Sequence, residues 1–253
     1  MSSSHSHESA IILRDVIRKM PFIGPIAAYV YRMMRDGTPL RPINSSSKYW
    51  EHRYAIGRSS GDGSYGKLAT FKADVINAFL AEQQVGSVIE LGCGDGNQLR
   101  LLRVPKYLGL DVSPTAIKRC RRLFSCDSSK EFGPVGAYRG EQAALALSLD
   151  VIYHLVEDEV FEWYMRALFG AAKFFVVVYS SNMQNNEHFE PHIRHRTFTE
   201  WIWANLPHWE LMRYIPNRYP YQGDTKEGSL ADFFIFRRRL ENLDLTLQGT
   251  LQP

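Results

Sequence analysis

Ser87-Val-Ile-Glu90-Leu-Gly92-Cys-Gly94-Asp95-Gly96-Asn97 is the stretch on which the fold turns. An apolar run of strand length leads into three glycines at alternate positions. Such a run reads as a buried strand. Glycine lets a chain turn sharply where a ligand comes close to its backbone. The pattern repeats downstream. Apolar runs over 107–111, 144–151 and 173–180 alternate with helical periodicity over 114–124, 157–169 and 197–206. A weaker strand signal lies within 132–138. Residues 209–215 and 231–237 are late strands with no helix between them, which predicts that they pair antiparallel. A helical stretch is expected directly after the glycines, and another over 72–81 upstream.

Short strands alternating with helices mean βαβ units. The expectation is an α/β, Rossmann-like, mostly parallel sheet with an antiparallel final strand, helices on both faces and an N-terminal helical lid. The turn itself narrows the ligand. In G-x-G-x-x-G the third glycine would fall at position 97, which is Asn97 here; it comes one residue early, at Gly96. Glu90 closes the strand just before the turn. A carboxylate there disfavours a pyrophosphate and favours a cation. S-adenosylmethionine, with a sulfonium and an α-ammonium group, has the fitting sign. Asp111 ends the next strand, 111 − 92 = 19 residues beyond the first glycine. An acid at about that spacing accepts hydrogen bonds from ribose hydroxyls.

The chain has 253 residues, 45% hydrophobic and 23% charged, which suits a soluble globular protein and excludes a disordered, collagenous or coiled-coil one. Its net charge of +3 is too small for a dedicated nucleic-acid binder, so no nucleic-acid partner is expected. Cys93, Cys120 and Cys126 show no zinc or redox spacing, which suits a cytoplasmic location. The expected organisation is a disordered tail over 1–9, amphipathic helices and a linker over 10–48, one domain over 49–240 with its lid at 49–68, and a tail over 241–253. Ile12, Val16 and Met20 share a face of a basic segment, 10–35. Such a segment suits packing on its own domain, a homodimer contact, or a peripheral contact with an anionic membrane. Residues 22–31 are interrupted by Gly24 and Pro25 and are too short to span a bilayer.

Residues 87–180 resemble a class I S-adenosylmethionine-dependent methyltransferase. Glu90-Leu-Gly92-Cys-Gly94-Asp-Gly96 is similar to that family's first motif, Leu110-Asp111-Val112-Ser113 to its second, and residues 147–155 to the segment leaving its fourth strand. The resemblance implies S-adenosylmethionine as cofactor. It implies that Glu90, Gly92, Gly94, Asp95 and Gly96 hold the methionine end, Asp111 the ribose and Val112 the adenine, with Asp150 under the methionyl group. Residues 133–142 offer no match to the family's polar adenine contact. Residues 49–57 are similar to the N-terminal lid of thiopurine-type and related small-molecule methyltransferases. There Trp50 and Tyr54 would cover the cofactor and Arg53 would pair with its carboxylate. The glycines and serines of 58–66 suit a moving loop.

Ligands of open α/β sheets bind beyond the carboxyl ends of the strands. That gathers 150–157, 180–196 and 216–228 around a reacting methyl group, with His154, His188, His192, His195, Tyr219 and Tyr221 among them. A hydroxyl acceptor needs its proton removed, and neutral imidazole suits the task. His154 and His195 are the candidate bases. The segment 188–196, with Arg194 and Arg196, matches no firm metal-ligand spacing, so no metal is expected. It suits a polar, hydroxyl-rich or anionic acceptor better. The basic runs 118–122 and 237–239 read as solvated faces. The whole chain is similar to bacterial methyltransferases of polysaccharide or natural-product modification. The expected activity is therefore methyl transfer to a small-molecule or glycan acceptor at a hydroxyl oxygen. A protein-directed methyltransferase and a non-catalytic S-adenosylmethionine-binding scaffold are the alternatives.

Overall fold

The structure, a computed structural model, describes residues 45–186 and 190–239. The tails at 1–9 and 241–253, the amphipathic segment 10–35 and His188 lie outside the described residues.

Seven strands form one sheet: β1 (Ser87–Leu91), β2 (Lys106–Asp111), β3 (Lys130–Pro134), β4 (Ala143–Leu149), β5 (Ala172–Ser180), β6 (Trp209–Ile215) and β7 (Asp232–Arg238). Their order is β3-β2-β1-β4-β5-β7-β6. The first five are parallel, and β7 lies antiparallel between β5 and β6. The helix α5 (Phe198–Asn205) carries the chain from β5 across to the edge strand β6. The return from β6 has no helix, so it comes back antiparallel and fills the gap that the crossover left.

The sheet is buried on both faces, which explains why its strands read as continuous apolar runs. Alternate residues go to opposite sides. Val88, Val177, Tyr179, Phe233 and Ile235 meet the helices α2 (Gly66–Glu82) and α3 (Pro114–Leu123). Ile89, Val176, Val178, Phe234 and Phe236 meet α4 (Asp158–Gly170) and α5. A further helix, α1 (Ser46–Ala55), lies over the carboxyl ends of the strands. Among the described residues no helix is long and apolar enough to cross a membrane.

Three differences from the sequence reading bear on the site. No α-helix follows the glycines: residues 92–105 hold a single 3-10 turn, Leu99–Leu101. Gly92, Gly94 and Gly96 all have positive φ, and the Asn97 and Gln98 side chains donate to the carbonyls of Ser64 and Ala69. The glycine turn therefore lacks the helix N-terminus that cradles a pyrophosphate in dinucleotide folds. Second, β4 ends at Leu149, because Asp150 turns the chain with φ 59. Third, the basic run on α3 is not simply a solvated face. Arg119 donates to the carbonyls of Tyr54 and Arg58, and Arg121 to that of Phe132.

Candidate active site

The carboxyl ends of β1, β2 and β4 and the overlying α1 enclose a cavity of about 280 Å3. That is close to the lower end of small-ligand pockets. Glu90, Gly92, Gly94 and Asp95 line it from the turn after β1, Asp111 and Val112 from the end of β2, and Asp150 and His154 from the segment after β4. Trp50 and Tyr54 line it from α1. These expected site residues meet at one place. Arg53, Gly96 and His195 do not line the cavity.

The turn is closely fitted. The Gly92 N–H donates to the Leu110 carbonyl at 2.7 Å, which ties the turn to β2. A Cβ on Gly92 would meet Val151 Cγ2 at 2.4 Å, and its φ of 88° is itself unfavourable for an L side chain. The Gly94 N–H donates to Asp111 Oδ2 at 2.9 Å, and the Ser113 N–H to Asp111 Oδ1 at 2.8 Å. Gly96 instead serves packing, since a Cβ there would approach Cys120 and Phe124 of the α3 region.

Strand alternation turns Glu90 toward the α2 side, where the Tyr107 hydroxyl donates to its Oε2 at 2.5 Å. Burial pushes the Glu90 carboxyl up to about 7, against the Tyr107 bond and the Lys72 charge. Burial also pushes Asp111 up to about 6, against its backbone N–H bonds. Both acids have raised pKa values in the folded chain. Their contribution to stability is thus fullest at low pH and is lost as pH rises through about 6 to 7. A cation between them would offset that loss.

The overlying helix is fastened along its length. Glu157, ahead of α4, accepts from the Ser46 N–H at 3.0 Å and its hydroxyl at 2.8 Å. Glu51 accepts from the Ser113 and Thr115 hydroxyls at 2.5 and 2.7 Å, and Arg119 holds the Tyr54 carbonyl. Asp95 clasps the following loop: its Oδ2 accepts from the Ser60 N–H and the Tyr65 hydroxyl, each at 2.8 Å. Arg53 stays with that loop, donating from Nε to the Ser59 carbonyl at 2.7 Å.

His154 sits edge-on to Trp50, with ring centroids 4.8 Å apart. Its Nδ1 lies 3.2 Å from the His192 carbonyl, so Nδ1 carries the proton and Nε2 the lone pair. Burial lowers its pKa to about 4, which keeps the ring neutral. His195 is buried elsewhere, with Nδ1 2.6 Å from the Ser181 hydroxyl. Arg194 and Arg196 brace the cavity wall rather than line it. They donate to the carbonyls of Leu155 and Val156, and both pair with Asp158. His192, Tyr219 and Tyr221 lie outside the lining as well.

Sequence reasoning missed several lining residues. Val135 and Gly136 follow β3, Val160 and Trp163 come from α4, and Lys72 comes from α2. From 133–142 only Val135 and Gly136 reach the cavity, so that segment contributes no polar side chain. Lys72 is the notable omission. It falls on the buried stripe of α2 with Leu68, Ala69, Ala73 and Ile76, and a lysine inside an apolar stripe is a readable signal.

No protein-family model matches the chain, and no curated protein matches it in sequence. Solved structures do share its fold. The methyltransferase domain of bacterial CtHen1-C superposes with a TM-score of 0.53 at 20% identity, over 68% of this chain and 98% of that one. The N-methyltransferase NodS from Bradyrhizobium japonicum WM9 gives 0.54 at 15% identity, over 68% and 94%. The magnesium protoporphyrin IX methyltransferase ChlM from Synechocystis PCC 6803, solved with bound SAH, gives 0.53 at 15% identity, over 82% and 99%.

Proposed function

We propose that this chain, which has the fold of the class I S-adenosylmethionine-dependent methyltransferases, transfers the methyl group of S-adenosylmethionine to a small or carbohydrate-like acceptor at a hydroxyl oxygen. The observation that carries this reading is the pair of buried acids, Glu90 and Asp111, on the wall of one cavity at the ends of adjacent parallel strands. The glycine turn between them has no α-helix behind it, so the site favours a cation over a pyrophosphate.

The residues present fit the cofactor. Glu90 and Asp150 suit its cationic end, Asp111 its ribose hydroxyls, and Val112, Val135 and Trp163 give apolar walls for a flat ring. When bound, S-adenosylmethionine supplies an electrophilic methyl group. The chain's part is to position the acceptor and manage its proton. Trp50 and Tyr54 line the cavity from α1, where their rings would shield the reacting groups from water once a ligand fills it. His154 Nε2 accepts the proton that the acceptor hydroxyl loses. NodS is an N-methyltransferase, but a neutral imidazole at the cavity wall of this chain favours an acceptor that must be deprotonated.

His154→Ala is expected to slow kcat by about 100-fold, within the range for lost general base catalysis, and to leave cofactor affinity within about threefold. Because the ring stays neutral down to about pH 4, the acid limb of the wild-type kcat profile should lie below pH 5. Steady-state rates across pH, with calorimetry on the variant, check both points; unchanged kcat in His154→Ala removes the base assignment.

A second expectation concerns the cofactor. A ligand that needs Glu90 and Asp111 ionised should raise the melting temperature more at pH 8 than at pH 5.5. Scanning fluorimetry with saturating S-adenosylmethionine measures this, and an equal shift at both values would contradict the pairing. The function itself is tested by titration with S-adenosylmethionine and NAD, then by radiolabelled methyl transfer into fractionated lysate. Binding of NAD alone overturns the cofactor. Label in protein or RNA rather than glycans or small molecules overturns the acceptor class.

A further inference from the structure

We propose that Lys72 binds the α-carboxylate of the methionyl group, while Glu90 and Asp150 beside it bind the α-ammonium, so that the inner end of the cavity recognises a zwitterionic amino acid. This assignment rests on the cofactor reading above and goes beyond it by naming what holds the carboxylate.

Lys72 is only 1% exposed and yet lines the cavity. Its Nζ donates to Asp150 Oδ2 at 2.5 Å and lies 5.2 Å from the centre of the Tyr179 ring. Its charge also acts on Glu90, which lines the same cavity. One buried ammonium is thus paired with one carboxylate and close enough to favour the ionised form of a second. An ion pair this buried is weak evidence for stability, because an apolar pair of similar volume would avoid the desolvation of both charges. An ammonium has three N–H donors, of which Asp150 takes one.

Asp150 is itself held in an unusual state. It is a non-glycine residue at φ 59. The Tyr179 carbonyl takes its N–H and the Tyr153 hydroxyl donates to its Oδ1, so both its backbone and its carboxylate are aimed. Strain of this kind persists where the surroundings over-determine it, commonly at ligand sites.

Charge also favours the methyl donor. Carboxylates outnumber Lys72 on the cavity wall. The sulfonium, ammonium and carboxylate of S-adenosylmethionine sum to +1, and the demethylated product sums to zero. The site is therefore matched to the methyl donor and holds the product less well. Arg53, which the resemblance assigned to the carboxylate, has its Nε on the Ser59 carbonyl and does not line the cavity.

The test compares S-adenosylmethionine with its decarboxylated analogue by calorimetry on wild type, Lys72→Met and Arg53→Met. Wild type should prefer the carboxylate-bearing ligand by about 30-fold or more, the scale of a desolvated charge pair. Lys72→Met should bring that preference to within about threefold, and Arg53→Met should keep it. A preference that survives in Lys72→Met overturns the assignment, as does one lost in Arg53→Met instead. Equal affinity of wild type for the two ligands also overturns it. A wild type that binds neither ligand removes the cofactor reading and this assignment together. The double variant Lys72→Met with Asp150→Asn leaves no buried, unpaired Asp150 carboxylate, and it carries the same readout if the single variant does not fold.

Discussion

Asp111→Ala is expected to abolish binding of S-adenosylmethionine in a calorimetric titration, and Asp111→Asn to weaken it by at least about 100-fold, close to 3 kcal/mol. The carboxylate is buried at the end of β2, and its two oxygens already receive the N–H groups of Gly94 and Ser113. Those bonds fix the oxygens in place, so a ribose would meet acceptors that are already oriented. A charge-assisted bond of that kind contributes about 1.5 to 3 kcal/mol. The acid also offsets the positive charge of the ligand, which the asparagine cannot do. Alanine additionally strands two buried N–H donors, so some stability is lost with the affinity. The asparagine variant sets its Nδ2 against one of those two N–H donors, so it too should unfold below the wild-type midpoint, and its affinity is read at a temperature where it stays folded. Unchanged affinity in the asparagine variant would remove the assignment.

Gly92→Ala is the second large expectation, and its effect falls on the fold first. The new Cβ would sit 2.4 Å from Val151 Cγ2 at a backbone φ of 88°. Adding steric overlap to an unfavourable dihedral should destabilise the chain by about 3 kcal/mol. Val151→Ala removes the atom it strikes. In that background the same substitution should cost only the dihedral part, about 1 kcal/mol. Denaturant unfolding of the four proteins gives the coupling directly. Strict additivity would show that the overlap is relieved by movement elsewhere.

Much of this was legible because the physics is local. Strand runs bounded by glycine or acids, the odd spacing of Gly92, Gly94 and Gly96, and an acid at the end of two successive strands are all short-range signals. The antiparallel return of β7 followed from the missing helix between it and β6. The rest depends on residues far apart in the chain. Nothing near Glu157 announces Ser46, and nothing near Arg119 announces the carbonyl of Tyr54. Two histidines in neighbouring loops look alike in a sequence, and only packing turns His154 to the cavity and His195 to Ser181. Lys72 was within reach, since it breaks an apolar stripe, but its partner Asp150 becomes apparent only when α2 lies beside the end of β4.

The fastening of α1 sets a tempo for the whole protein. Glu157 and Arg119, on elements beneath, hold its start and its end, and its own Glu51 ties its middle to Ser113 and Thr115. Net contributions of about 1 kcal/mol for each such anchor make a detached helix a minority of roughly one molecule in a hundred or fewer. A ligand whose passage Trp50 and Tyr54 obstruct would wait on that same opening both to arrive and to leave. At high ligand concentration the entry rate should stop rising and level off at the helix's own detachment rate. Turnover would then be governed by three charged side chains, Glu51, Glu157 and Arg119, whose work is to fasten a helix rather than to act on the transferred methyl group.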